Sequence, residues 1–198
     1  MRRFAFISAS LAATLLWLAV ACPAPAAAGQ KTVIQSYPNG SVHFEIQIDE
    51  NRFRHGWTRE FREDGSLMSE YMHEHGVKQG LARFYYDTGE LMTVWVYEDG
   101  QRHGQSIGYF KDGAVKDRGF YKHDRLHGPV TLYYPDGTVK AQLEFKDGRR
   151  HGESRTYYED GQVEFVYRHK NDRLVESEHY GRDGQPIEKK HYPRGGLR

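Results

Sequence analysis

Tyr133-Tyr134-Pro135-Asp136-Gly137-Thr138-Val139-Lys140-Ala141-Gln142-Leu143-Glu144-Phe145-Lys146-Asp147-Gly148-Arg149-Arg150-His151-Gly152 decides the fold. Val139, Ala141, Leu143 and Phe145 alternate with Lys140, Gln142, Glu144 and Lys146. That period of two marks a half-buried strand. Lys146-Asp147-Gly148-Arg149 then reads as a hairpin turn, and Pro135-Asp136-Gly137 as another. The stretch therefore predicts two short antiparallel strands and the bends that join them to their neighbours.

The same pattern recurs along the chain. Glycines preceded by a turn residue stand at Gly40, Gly65, Gly89, Gly113, Gly137, Gly161 and Gly184, about 24 residues apart. A second series, Gly80, Gly104, Gly128 and Gly152, follows the first at a constant offset, with Gly56 one residue late. Histidine precedes four of these glycines, at His55, His103, His127 and His151, and Gln79 interrupts the run. Val42, Leu67, Leu91, Val115, Val139 and Val163 form an aliphatic column. Phe61, Tyr85, Tyr109, Tyr133, Tyr157 and Tyr180 form an aromatic one. Columns in register are the mark of stacked identical units. The prediction is all-β: about six two-strand units over residues 37–184, in one elongated antiparallel sheet. Residues 29–36 read as a linker and 185–198 as a basic tail or end cap.

Composition agrees. The chain has 198 residues, 28 Lys+Arg against 27 Asp+Glu, 21 Gly, 14 Tyr and one Cys. A mean hydropathy of −0.81 excludes a polytopic membrane protein. A formal charge of +1 gives no drive toward nucleic acid, and no basic run interleaves with the aromatics.

Residues 1–28 differ from the rest. Arg2 and Arg3 precede an apolar run from Phe4 to Val20, and Ala26-Ala27-Ala28 ends it, the layout of a secretory signal cleaved before Gly29. A second reading rests on Leu18-Ala19-Val20-Ala21-Cys22, which resembles a bacterial lipoprotein box. Cleavage there would leave Cys22 acylated and the protein membrane-anchored. Either way the expectation is export to a bacterial periplasm or envelope, with no disulfide and no thiol nucleophile.

The units Gly80 to Gly89 and Gly128 to Gly137, each followed by a second strand and Asp-Gly-x-x-His-Gly, resemble MORN repeats. They are most similar to the bacterial variant found in the YwqK-type antitoxin family. The resemblance implies an elongated sheet of hairpins and a role in binding rather than catalysis. MORN proteins are linked to protein assembly and to phospholipid headgroups.

The expected function is thus non-enzymatic binding or scaffolding through the sheet surface, most readily toward a protein. The alternatives are an envelope antitoxin or immunity protein, and a cell-wall glycan or phospholipid binder. A second tyrosine-rich column and two tryptophans supply the candidate contact residues: Trp57, Tyr86, Trp95, Phe110, Tyr134 and Tyr158. The sequence calls for no cofactor. It assigns no metal, because equivalent histidines of successive units would lie about 10 Å apart. His73 and His75, two apart on one strand, share a face but lack a third and fourth ligand. Gly104-Gln105-Ser106-Ile107-Gly108 matches the G-x-S-x-G pattern of hydrolases but sits in a strand slot with no helix behind it.

Overall fold

A computed structural model describes residues 30–193. The segment read as a secretory signal, Cys22 within it, and the last five residues, Arg194 and Arg198 among them, lie outside the described residues. Among the described residues there is no helix, and every strand pairs antiparallel with its neighbours in the chain. The result is one open meander of seventeen strand segments. Three of these, Gln101–Arg102, Arg125–Leu126 and Arg149–Arg150, are two-residue pieces continued after one residue by Gly104–Tyr109, Gly128–Tyr133 and Gly152–Tyr157. Counted so, the sheet has fourteen full strands in seven hairpins. At about 4.8 Å between strands it runs on the order of 60 Å.

Seven hairpins replace the six expected units, because each hairpin is centred on one of the seven anchor glycines. Residues 29–36, expected as a linker, contain strand β1, Lys31–Ser36, paired with β2, Val42–Ile48. Residues 185–198, expected as a tail or cap, contain the final strand, Pro186–His191, paired with Arg173–Tyr180. Both end strands are fully exposed along their length. Lacking buried positions, they show no clear alternation in the sequence. The backbone ladder holds them.

The two kinds of bend are distinct. At the anchor glycines, Gly137 N–H donates to the Tyr134 carbonyl at 2.9 Å and Tyr134 N–H to the Thr138 carbonyl at 2.8 Å. That is a three-residue loop closed by a glycine at φ +87°. Asp136 Oδ1 accepts from Thr138 N–H at 2.9 Å, and the same Asx bond recurs at Asn39, Asp64, Asp112, Asp160 and Asp183. It gives a physical reason for Asn or Asp before glycine. At the other edge, His75-Gly76, Asp99-Gly100, His123-Asp124, Asp147-Gly148 and Asn171-Asp172 all have positive φ at both positions. These are type I′ turns, spaced 24 residues apart, whose twist suits a tight hairpin.

Partners across the ladders share a face. One row crosses every strand but the last: Val33, Ile46, Thr58, Tyr71, Ala82, Trp95, Ser106, Gly119, Val130, Leu143, Ser154, Tyr167 and Ser177. After Val33, the leading strand of each hairpin supplies a small residue and the following strand a large one, Gly119 and Val130 breaking the rule. Thr58, Ala82 and Ser154 are at most 2% exposed although, among the described residues, no second layer covers them. They are shielded because large neighbours on both sides lean across them. The core is therefore a stripe within a single sheet. No hairpin can complete it alone.

Candidate functional site

Each edge of the sheet carries its own stitch between hairpins. At the anchor-glycine edge the second aromatic column supplies it. The hydroxyls of Tyr37, Tyr86, Tyr134 and Tyr158 donate to the carbonyls of Phe61, Tyr109, Tyr157 and Tyr180 in the next hairpin, at 2.8–3.1 Å. Arg62 occupies the same slot and donates from its guanidinium to the Tyr85 carbonyl at 2.7 Å. Phe110 has no hydroxyl to give. Tyr86, Phe110, Tyr134 and Tyr158, read from the sequence as contact candidates, thus sit at this seam, with all three tyrosine hydroxyls engaged.

The type I′ edge uses backbone and histidine. The N–H of the second turn residue donates to a carbonyl of the preceding hairpin in all five turns: Gly76 to Arg54, Gly100 to Lys78, Asp124 to Arg102, Gly148 to Leu126 and Asp172 to Arg150, at 2.7–3.0 Å. The histidine column faces the first turn residue twenty positions later. His151 Nδ1 lies 3.1 Å from Asn171 Oδ1, and His127 Nδ1 lies 3.4 Å from Asp147 Oδ1. Gln79, where histidine is missing, accepts from Asp99 N–H at 2.9 Å. The Asp-Gly-x-x-His-Gly motif therefore links one hairpin's histidine to the next hairpin's turn.

The two tryptophans lie on opposite faces. Trp95 belongs to the aromatic row, its ring tilted against Phe84 at 4.6 Å between centroids, with the Arg102 guanidinium 5.1 Å from its ring. Trp57 stands one residue before Thr58 and faces the other way, where Arg83 approaches it at 5.5 Å. On Trp95's face, Lys78 lies over Tyr71 at 4.3 Å, and Arg102 over Tyr121 at 4.3 Å. Cations thus sit among aromatics. Trp57's face has a different character at its start. Glu70, 9% exposed, accepts from Arg83 at 2.9 Å, Arg59 at 3.4 Å and the Tyr85 hydroxyl at 2.8 Å. Burial, followed by that carboxylate bond, pushes the Tyr85 phenol up to about 12.

Histidines 73 and 75 do not share a ligand site. His73 is 4% exposed in its strand and bonds to the Thr58 hydroxyl at 3.2 Å. Burial first, then Arg54 and Lys78, depress its imidazole to about 4. His75 lies in the turn at φ +47° and joins Asp49 and His55 instead. Ser106 is 6% exposed within strand Gly104–Tyr109, opposite Gly119. Among the described residues the hollows are shallow. One of about 270 Å³ is lined by Gln105, Ile107, Arg118, Phe120 and Thr131 among others.

A family model described as a MORN repeat variant matches residues 78–99, 126–147 and 150–171. Each match ends on the first residue of a type I′ turn, so the matched unit is one hairpin. No curated protein matches the chain. Among solved structures, accessory secretory protein 1, 2 and 3 of Streptococcus pneumoniae is similar at 15% identity, over 55% of this chain and 20% of that one, with a TM-score of 0.36. An S. aureus TarM mutant in complex with Fondaparinux, alpha-GlcNAc-glycerol and UDP is similar at 12% identity, over 73% of this chain and 21% of that one, with a TM-score of 0.29. The chain spans about a fifth of the length of these solved chains.

Proposed function

We propose that this chain is an exported, non-catalytic binding or scaffold protein that docks a protein partner along its aromatic face. The observation that carries this reading is the continuous row from Ile46 to Tyr167, which presents Tyr71, Trp95, Leu143 and Tyr167 with no second layer above them among the described residues. These four side chains are half-buried, so each keeps part of its apolar surface open to a partner. Tyrosine and tryptophan suit such work, since each offers large area at small entropic cost. Lys78 and Arg102 stand among these rings and favour a partner with carboxylates beside its apolar contacts. Binding energy is then spread over successive hairpins rather than gathered in a pocket.

The test is capture of partners from the envelope fraction of the source cells with the mature chain as bait, compared across three forms. Trp95→Ala and Tyr121→Ala are expected to lower partner retention at least tenfold, while Trp57→Ala on the opposite face retains it. The reverse ranking, or equal retention by all three, overturns the reading. The mass of the mature protein checks export. A chain beginning at Gly29, or a diacylated one beginning at Cys22, agrees with it, and an intact Met1 does not.

A further inference from the structure

From the first type I′ edge we infer a divalent transition-metal site formed by Asp49, His55 and His75. One ligand atom from each residue lies within 4.8 Å of the other two. Asp49 Oδ2 and His75 Nδ1 are 3.4 Å apart, already the separation of two ligands on one tetrahedral zinc, whose bonds are about 2.0–2.2 Å. The His55 and His75 rings have centroids 5.0 Å apart. The His75 side chain is 70% exposed and so has room to adjust.

The carboxylate is positioned in advance. Asp49 Oδ1 accepts the backbone N–H groups of Asn51 and Phe53, both at 2.9 Å. Those bonds fix the plane of the group and leave Oδ2 toward the imidazoles. Hydrogen bonds of this kind commonly orient a metal ligand. Asp49 Oδ2 and His55 Nδ1 are both buried and have no hydrogen-bond partner. Buried polar atoms left unpaired are uncommon and call for an explanation, and a cation between them supplies one.

Comparison with the other turns sharpens the point. Of the equivalent pairs, His151 and Asn171 are hydrogen-bonded at 3.1 Å, whereas His127 Nδ1, 3.4 Å from Asp147 Oδ1, is also buried without a hydrogen-bond partner but has no second imidazole in its group. His103 and His123 also lie close, at 5.1 Å between centroids, but His123 Nδ1 is taken by Gln101 Oε1 and the Glu98 carboxylate near His103 is 59% exposed. The first turn alone is one residue longer, and Asp49 opens it, its N–H donating to the Phe53 carbonyl at 2.9 Å. Two imidazoles and one carboxylate, with room for a water, suit zinc or a neighbouring first-row ion and not a hard, oxygen-seeking one.

The test uses the full mature chain without a histidine tag. Zn²⁺ is titrated by calorimetry, and Co²⁺ by its visible absorption. One ion per chain with a micromolar Kd, and a tetrahedral Co²⁺ band, is the expected result. His75→Asn keeps the turn, because Asn171 occupies the same slot at φ +51°, and it offers His55 the bond that His151 makes to Asn171. Asp49→Asn keeps an oxygen for the Asn51 and Phe53 N–H groups. Each variant is expected to weaken Zn²⁺ at least tenfold while His151→Ala leaves it unchanged. Absence of binding at millimolar Zn²⁺ overturns the site. So does full affinity in Asp49→Asn, which would mean adherence to two surface histidines, and so does equal loss in His151→Ala.

Discussion

Tyr134 and Phe110 occupy the same slot one repeat apart, and the chain itself has therefore made half of a mutational comparison. Replacing Tyr134 by Phe deletes the donor to the Tyr157 carbonyl. The expected cost is about 0.5–1.5 kcal/mol, the net worth of an ordinary hydrogen bond. Phe110→Tyr should return a similar amount by offering a donor toward the Tyr133 carbonyl. Urea unfolding of both single variants checks the two signs. His73 gives a pH signature. Its imidazole is held near 4 in the fold and titrates near 6.5 when unfolded. The unfolded chain therefore binds more protons in that window. This contribution is fully present above about pH 6.5 and is lost as pH falls toward 4, at most about 3 kcal/mol. His169, also depressed by burial and then by Arg150, adds in the same direction. In His73→Gln the slope of stability between pH 4.5 and 6.5 should flatten. An unchanged slope would remove His73 from the account.

Among the elements, the hairpin turns test whether glycine is needed for its backbone or for its size. Gly137 has φ +87° with open space where a Cβ would go, so Gly137→Ala should cost only the left-handed penalty, about 1–2 kcal/mol. Gly108 is not in the left-handed region, yet a Cβ there would come within 2.3 Å of Asp117 Oδ2. Gly108→Ala should therefore destabilise through contact with the carboxylate. Asp117→Ala should recover much of the loss, a coupling that a double-mutant cycle reads directly. The turns also show what sequence could reveal. Period, strand alternation and Asp-Gly bends were legible because each is a local preference repeated at a fixed interval. The link from each histidine to the next hairpin's turn was less visible, since it joins residues twenty apart that come together only after two strands pair. For that reason His55 and His75 looked unrelated, while His73 and His75, close in sequence, point to different surroundings. An offset of twenty between a histidine and a turn-forming His, Asp or Asn is the signal that would have found the pairing. The opposite faces of Trp57 and Trp95 were set by a one-residue difference in register phase, which column counting alone does not resolve.

For the whole molecule, the two ends of the ribbon are unlike. The last strand exposes Ile187 at 63% but flanks it with Pro186, Glu188, Lys189 and Lys190, with Lys189 bonded to Glu178 at 2.6 Å, and such charges and proline discourage another strand from adding. The first strand, Lys31–Ser36, exposes Val33 and Ile34 at 39% and 49%, and among the described residues only one of its two edges is paired. Self-association should therefore begin at this end. Val33→Lys is expected to abolish concentration-dependent growth in sedimentation velocity, whereas Lys189→Ala leaves it unaltered. Equal association in wild type and Val33→Lys would place the contact elsewhere. One guarded terminus and one receptive terminus also set what growth can produce. Two copies that meet head to head consume the receptive terminus of both, and each outer boundary is then a guarded one. The expected product is a closed two-fold pair of doubled length rather than a fibre.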